Sequence, residues 1–216
     1  MKENPVIYDI SMTLRNGMLC YPKDVPYQRK RQRDMAKGDS SNVSQVEMSA
    51  HTGSHIDAPL HYYPTGWGTD KTPLEHLYGP AQVVDCLGAA AVTAEVLRGK
   101  VPPGSKRLLL KTDNSQKQLT EKTKFDPDFV YLAASGAKYI VEQGIILVGI
   151  DYLSIDKSGL AGKDVHHTLL ENNVTILEGI MLAEVPAGEY FLACGALKMA
   201  DSDGAPCRVV LIKNLL

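Results

Sequence analysis

The sequence contains no apolar run approaching the roughly 18 residues that a membrane span requires. It has almost no net charge: 23 Lys and Arg against 25 Asp and Glu leave −2, too little to attract nucleic acid or an anionic membrane through a global field. Its four cysteines, Cys20, Cys86, Cys194 and Cys207, form no CxxC pair. That spacing argues against a zinc–thiolate site and reads as reduced thiols rather than a disulfide framework. The first residues, Met1-Lys2-Glu3-Asn4-Pro5, lack the apolar core of a secretory signal, so a cytoplasmic location is the expectation. Internal repeats and low-complexity tracts are also missing, and residues 1–216 read as a single domain.

What is present is an ordinary globular composition, 44% hydrophobic and 22% charged, with length enough for one substantial core. Val6–Ile10, Asn42–Ala50, Ala81–Leu87 and Arg107–Thr112 read as strands, with a short helix near Thr93–Arg98 for which Thr93 is the N-cap. The basic cluster Arg29, Lys30, Arg31 and Arg33 reads as a solvated face. Asp126–Gln143 carries the clearest helical pattern: Pro127 sits at the first helical position, apolar residues recur from Val130 to Val141, and Gly144 stops it. The apolar run Ile145–Ile150 then predicts a buried strand, and a second helix is expected from Asp164 to Asn172 or Asn173. Val174–Leu177, Glu189–Met199 and Arg208–Ile212 give three late strands. The order predicts an α/β fold, a mixed sheet flanked by a few helices.

Chemistry concentrates in His51-Thr52-Gly53-Ser54-His55-Ile56-Asp57-Ala58-Pro59-Leu60-His61, which holds three of the six histidines and one aspartate. Imidazole and carboxylate are the ligands that zinc and manganese prefer. Gly53 and Pro59 rule out an uninterrupted helix and favour a strand end turning into a loop, where His51, His55 and Asp57 can converge on one ion. His61 is either a further ligand or an acid/base, since its ordinary pKa near 6.5 suits proton transfer. A second, weaker constellation lies downstream at Asp164-Val165-His166-His167 and Glu178. Glu178 follows an apolar run with no basic neighbour, so an inward-facing carboxylate there needs a partner.

The sequence resembles the cyclase family of metal-dependent hydrolases, which includes bacterial kynurenine formamidases and isatin hydrolases. The family signature H-x-G-T-H-x-D-x-P-x-H stands here as His51, Gly53, Ser54, His55, Asp57, Pro59 and His61. Tyr21-Pro22, Val148–Ser154, His166–Leu170, Glu178 and Asp203–Arg208 extend the likeness along nearly the whole chain. The resemblance implies a single α/β domain whose mixed sheet closes partly into a barrel of the swivelling β/β/α type. It implies that His51, His55 and Asp57 hold one divalent ion, and that His166 and Glu178 hold a second or complete a shared site, with Asp57 or Glu178 able to bridge. His166 rather than His167 has the family's spacing to Glu178. The metal is zinc or manganese, zinc foremost, as one or two ions. His61 is the acid/base, and a homo-oligomer, a dimer or tetramer, is the expected assembly.

Hydrolysis of a C–N bond by metal-activated water is the chemistry such a site performs well. No G-x-S-x-G elbow and no cysteine in a nucleophile setting argues for a covalent acyl-enzyme. Arylformamidase-like cleavage of N-formylkynurenine to kynurenine and formate, a step of tryptophan catabolism, is the leading expectation. Lactam opening of the isatin-hydrolase kind, or metal or ligand binding without catalysis, are the alternatives. The substrate is a small-molecule amide or lactam, and Tyr21, Tyr62, Tyr63 and Trp67 are candidates to bracket an aromatic ring. The chain departs from the family pattern at Ser54, where threonine is usual, and in the polar segment Asn114–Lys124, where formamidases carry bulky aromatics; Phe125 is the nearest here.

Overall fold

A computed structural model describes residues 4–159 and 164–215. The N-terminal part supplies four short strands: β1 (Val6–Asp9), β2 (Gln28–Arg33), β3 (Val43–Glu47) and β4 (His55–Asp57). Next come α1 (Leu74–Leu77), β5 (Tyr78–Asp85), β6 (Ala91–Val92), α2 (Ala94–Leu97), β7 (Arg107–Lys111) and α3 (Asp113–Gln116). They are followed by β8 (Tyr131–Leu132), α4 (Ala134–Glu142), β9 (Leu147–Ile150), α5 (Asp164–Glu171) and β10 (Thr175–Glu178). The chain finishes with the long strands β11 (Gly188–Ala196) and β12 (Gly204–Lys213).

The main sheet runs β1-β12-β11-β5-β7-β9-β10-β4, and β4 pairs back onto β12. The strands from β12 round to β4 therefore form a closed ring, with β1 joined to the far half of β12. The pairs β5–β7, β7–β9 and β9–β10 are parallel, and the rest of the ring is antiparallel. This split explains the sequence patterns. Every residue of β7, β9 and β10 is buried, as parallel strands covered on both faces require, whereas β11 largely alternates. Inside the ring pack Ile56, Val83, Leu109, Leu147, Leu177, Leu192 and Leu211. Outside it, Leu108, Leu110, Val148, Ile150 and Ile176 meet Ala137 and Ile140 of α4 and Val165 and Leu169 of α5.

The strands expected from the patterning are present, β6 and β8 are additional, and Thr93 does cap α2 by accepting from the Val96 amide. The basic cluster lies on β2, every residue of which is exposed. One helix boundary is corrected. The helical pattern from Asp126 is not realised until Ala134: Pro127 and Asp128 form a turn, and stronger non-local partners hold the backbone after it extended. The Asn114 side chain accepts from the Val130 amide and donates to its carbonyl, both at 2.8 Å. Tyr131 and Leu132 then pair with Ala91 and Val92. Gly144, at φ +67°, ends α4 as expected.

Asp151, at the end of β9, fixes the turn into α3. Its carboxylate accepts the Thr112 amide (2.8 Å), the Thr112 hydroxyl (2.7 Å) and the Ser115 amide (3.1 Å). Burial pushes its pKa up to about 6 against these bonds, which favour the anion. The folded state thus prefers the neutral acid, and this contribution to stability is present below the ordinary carboxyl pKa and fades as pH rises through about 6. Asp151→Ala strands three buried donors and is expected to cost about 2 kcal/mol or more in urea denaturation at pH 5. The gap to wild type should narrow by about 1 kcal/mol at pH 8; a gap that widens with pH contradicts this account.

Candidate metal centre

Strand β4 is three residues long and is held on both sides, by β10 and by β12. Alternation along it sends Ile56 into the barrel and His55 and Asp57 to the outer face. Register places Glu178 of β10 directly opposite His55, while Leu177 points inward beside Ile56. The strand's approach depends on two glycines in the left-handed region, Gly53 (φ +66°) and Gly179 (φ +69°). A Cβ on Gly179 would stand 2.3 Å from the Gly53 carbonyl oxygen, so the two backbones touch only because it is absent. Between them the Ser54 hydroxyl donates to the Gly179 carbonyl (2.7 Å) and accepts the Met12 amide (2.8 Å). From the outer layer, α5 adds His166.

These elements bring together all six residues singled out from the sequence. His55 Nε2 lies 3.5 Å from Asp57 Oδ1 and 3.4 Å from Glu178 Oε2. His166 Nε2 lies 3.4 Å from both Asp57 Oδ2 and Glu178 Oε1. Nitrogen and oxygen thus alternate around a closed circuit, and all four side chains are buried. His51 flanks it, with Nδ1 2.9 Å from Asp57 Oδ1 and Nε2 2.9 Å from Asp203 Oδ2. Burial alone would depress the His51 pKa, but Asp203 and Asp57 raise it to about 10, and His51 in turn draws Asp203 down to about 2. Buried Asp57 is held well below the ordinary carboxyl range, its desolvation outweighed by His166 and His51.

His61 borders the cluster, its ring 4.2 Å from that of His51 and its Nδ1 3.5 Å from Asp203 Oδ2. Burial lowers its pKa; Asp57 opposes this and His51 adds to it. A cavity of about 180 Å³ opens above these groups, walled by Tyr21, Tyr62 and Leu153. Tyr62 stacks on His166 with centroids 4.8 Å apart. Of the other aromatic candidates, Tyr63 contacts His167 and Trp67 donates to Asn173, and neither borders the cavity. Phe125 packs behind Tyr21 and against Tyr152, so the polar segment does end in an aromatic contact with the wall. Two carboxylates outside the expected site also touch the cluster, Asp203 and Asp156; the latter lies 2.5 Å from His166 Nδ1. In the sequence Asp203 belongs to the segment Asp203–Arg208 that carries the family likeness, and Asp156 carries no local signal.

The arrangement suits a divalent cation. His55 Nε2 and Asp57 Oδ2 are buried without a hydrogen-bond partner, a costly state for polar atoms unless an ion satisfies them. Ligands about 2.1 Å from a tetrahedral ion stand roughly 3.4 Å apart, the spacing seen around the circuit. Two ligand groups share Asp57: His55, Asp57 and Glu178, and His51, Asp57 and His61.

Fold and site together define an α/β barrel with a buried histidine–carboxylate cluster able to bind metal on its outer face. The chain belongs to the Cyclase family, whose model, described as "Putative cyclase", matches residues 8–157. It is 38% identical over 185 residues to Cyclase-like protein 3 of Arabidopsis thaliana, covering 83% of this chain and 68% of that protein. Among solved structures it is similar to one described as a potential metal-dependent hydrolase with cyclase activity (TM-score 0.83, 32% identity, 97% of this chain and 98% of that one). The fold is also that of isatin hydrolase A from Labrenzia aggregata (TM-score 0.79, 21% identity, 97% of this chain and 94% of that one).

Ser54 makes the dependence of the site on its backbone testable. Ser54→Ala leaves the buried Met12 amide without its acceptor and should cost about 1–3 kcal/mol in urea denaturation. Ser54→Thr keeps the hydroxyl and should lose less than half as much. Equal losses in the two variants would show that the hydroxyl is not what ties the strand ends.

Proposed function

We propose that residues 1–216 form a single metal-dependent hydrolase domain that cleaves the C–N bond of an amide, most closely an arylformamidase acting on N-formylkynurenine. The observation that supports this is the circuit of His55, Asp57, His166 and Glu178 with its two unsatisfied buried atoms. His51, His55, Asp57, His166 and Glu178 would hold the metal, zinc foremost and manganese the alternative, as one or two ions. A divalent ion there supplies Lewis acidity, polarising a carbonyl and bringing the pKa of water down to about 7. His61 is the acid/base: Nδ1 faces Asp203, leaving Nε2 to take a proton from the attacking water and pass it to the departing nitrogen. Tyr21 and Tyr62 bracket the aryl group.

A second reading, opening of an isatin-like lactam, is favoured by the cavity volume. At about 180 Å³ it is below the roughly 300–1,000 Å³ of pockets for drug-sized ligands, which suits a compact bicyclic substrate. The assembly in this reading is a homo-oligomer. Strands β2 and β3 form a two-stranded ribbon with every residue exposed, including Val43 and Val46, and such a ribbon is marginal by itself. A second copy would cover it. Among the described residues no helix is long and apolar enough to cross a membrane. The four free thiols suit a reducing compartment, and the cytoplasm is the proposed location.

Protein purified without chelator should contain at least about 0.5 equivalents of a divalent ion and hydrolyse N-formylkynurenine or isatin when zinc or manganese is added. His61→Ala should lower kcat roughly 10²–10⁴-fold while the protein still binds metal through His55, Asp57, His166 and Glu178. Unchanged turnover in His61→Ala removes it from proton transfer, and metal binding without hydrolysis of any amide, lactam or ester would mark a binding protein instead. Sedimentation should show a dimer or tetramer that falls to monomer when Val43 and Val46 are both changed to lysine.

A further inference from the structure

Asp156 stands outside every motif in the sequence, yet its buried carboxylate makes three bonds to a single turn. Oδ1 accepts the Val165 amide (3.3 Å), and Oδ2 accepts the His166 amide (3.1 Å) while lying 2.5 Å from His166 Nδ1. Both amides belong to the first turn of α5, where backbone donors have no helical partner. They can only donate, so they fix the carboxylate as an acceptor. The remaining contact, to Nδ1, must then be a hydrogen bond from the ring. With a hydrogen committed at Nδ1, the atom turned toward Asp57 Oδ2 and Glu178 Oε1, each 3.4 Å away, is Nε2, which in the neutral ring carries the lone pair a metal ligand needs. The two carboxylates facing Nε2 are balanced by positive charge at that point, a proton on the ring or a metal ion in its place.

We propose that Asp156 is a positioning residue that locks His166 in its Nδ1–H form and aims Nε2 into the cluster as a ligand. The proposal rests on the metal-centre reading above. A carboxylate bound to the far nitrogen of a ligating histidine raises its basicity and fixes its ring, and loss of such a partner commonly weakens metal binding 10–100-fold. Asp156 adds a mechanical link: by capping the same turn that carries His166, it couples the ring's direction to the start of α5. Tyr62, stacked on one face of the ring, restricts its rotation further.

The test reads metal affinity and ring protonation rather than turnover. Zinc affinity of wild type, Asp156→Ala and Asp156→Asn is measured by competition with a chromophoric chelator. Proton placement on His166 is read from long-range ¹H–¹⁵N spectra of the zinc-loaded, ¹⁵N-histidine-labelled protein. Wild type should show the hydrogen on Nδ1, and Asp156→Ala should bind zinc 10–100-fold more weakly. Asp156→Asn keeps an oxygen acceptor and should retain the Nδ1–H form with a smaller loss; it also serves if the alanine variant does not fold. Wild-type affinity in both variants, or a hydrogen on Nε2 of zinc-loaded wild type, overturns the role of Asp156 and leaves the hydrolase reading standing. Wild type that binds neither zinc nor manganese overturns the metal centre, and the role of Asp156 with it.

Discussion

Closure of the barrel by β4 is the constraint on which everything else rests. Three residues must pair with β10 on one side and β12 on the other, and the same three carry His55 and Asp57. The ring would open without them, and the four-residue circuit would lose two of its members. So short a strand has few hydrogen bonds of its own, so its position is secured at the ends. The contact between Gly53 and Gly179 allows two backbones to meet, and the Ser54 hydroxyl joins the N-terminal loop to the end of β10. From the other side the Cys207 amide donates to the Ser54 carbonyl at 2.9 Å.

Stability and function are therefore built from one feature rather than two. Ile56 and Leu177 anchor the strand pair in the barrel interior, and their neighbours His55 and Glu178 emerge on the opposite face because strand side chains alternate. The apolar half of β4 holds the polar half in place. Glu178 is further fixed by the Ile155 amide, which donates to Oε1 at 2.7 Å. Two carboxylates are thereby buried within reach of three imidazoles. Concentrating negative charge this way in a dry site is unfavourable for the protein alone and favours a cation.

The sequence and the structure disagree most instructively around residues 126–133. Local pattern there is helical, with proline at the right position and apolar residues at helical spacing. The chain instead makes a turn at Pro127–Asp128 and then runs extended, because Asn114 satisfies both backbone groups of Val130 and β6 offers a pairing edge to Tyr131 and Leu132. Propensity is worth tenths of a kcal/mol per residue, whereas buried backbone groups left unpaired cost about 1–3 kcal/mol each. Non-local partners of that weight override the pattern, and no window of local sequence contains them. The aromatic wall shows the same limit: four candidates sit close together in sequence or near the site's motifs, but only Tyr21 and Tyr62 turn toward the cavity.

By itself the sequence determined the main-sheet strands from β5 onward, the helices α2 and α5 and the body of α4, the mixed α/β class and the six residues of the cluster. Those signals are local: alternation, glycine and proline punctuation, and a histidine segment too dense to be packing. Only the tertiary structure decided how the cluster is partitioned. It set His55 against Glu178 and Asp57 between His55 and His166, placed His51 between Asp57 and Asp203, and brought Asp156 behind His166. Spacing along a chain identifies which side chains can bind an ion. Which nitrogen faces which oxygen is set by strand register and ring closure, where residues more than a hundred positions apart meet within 3.5 Å.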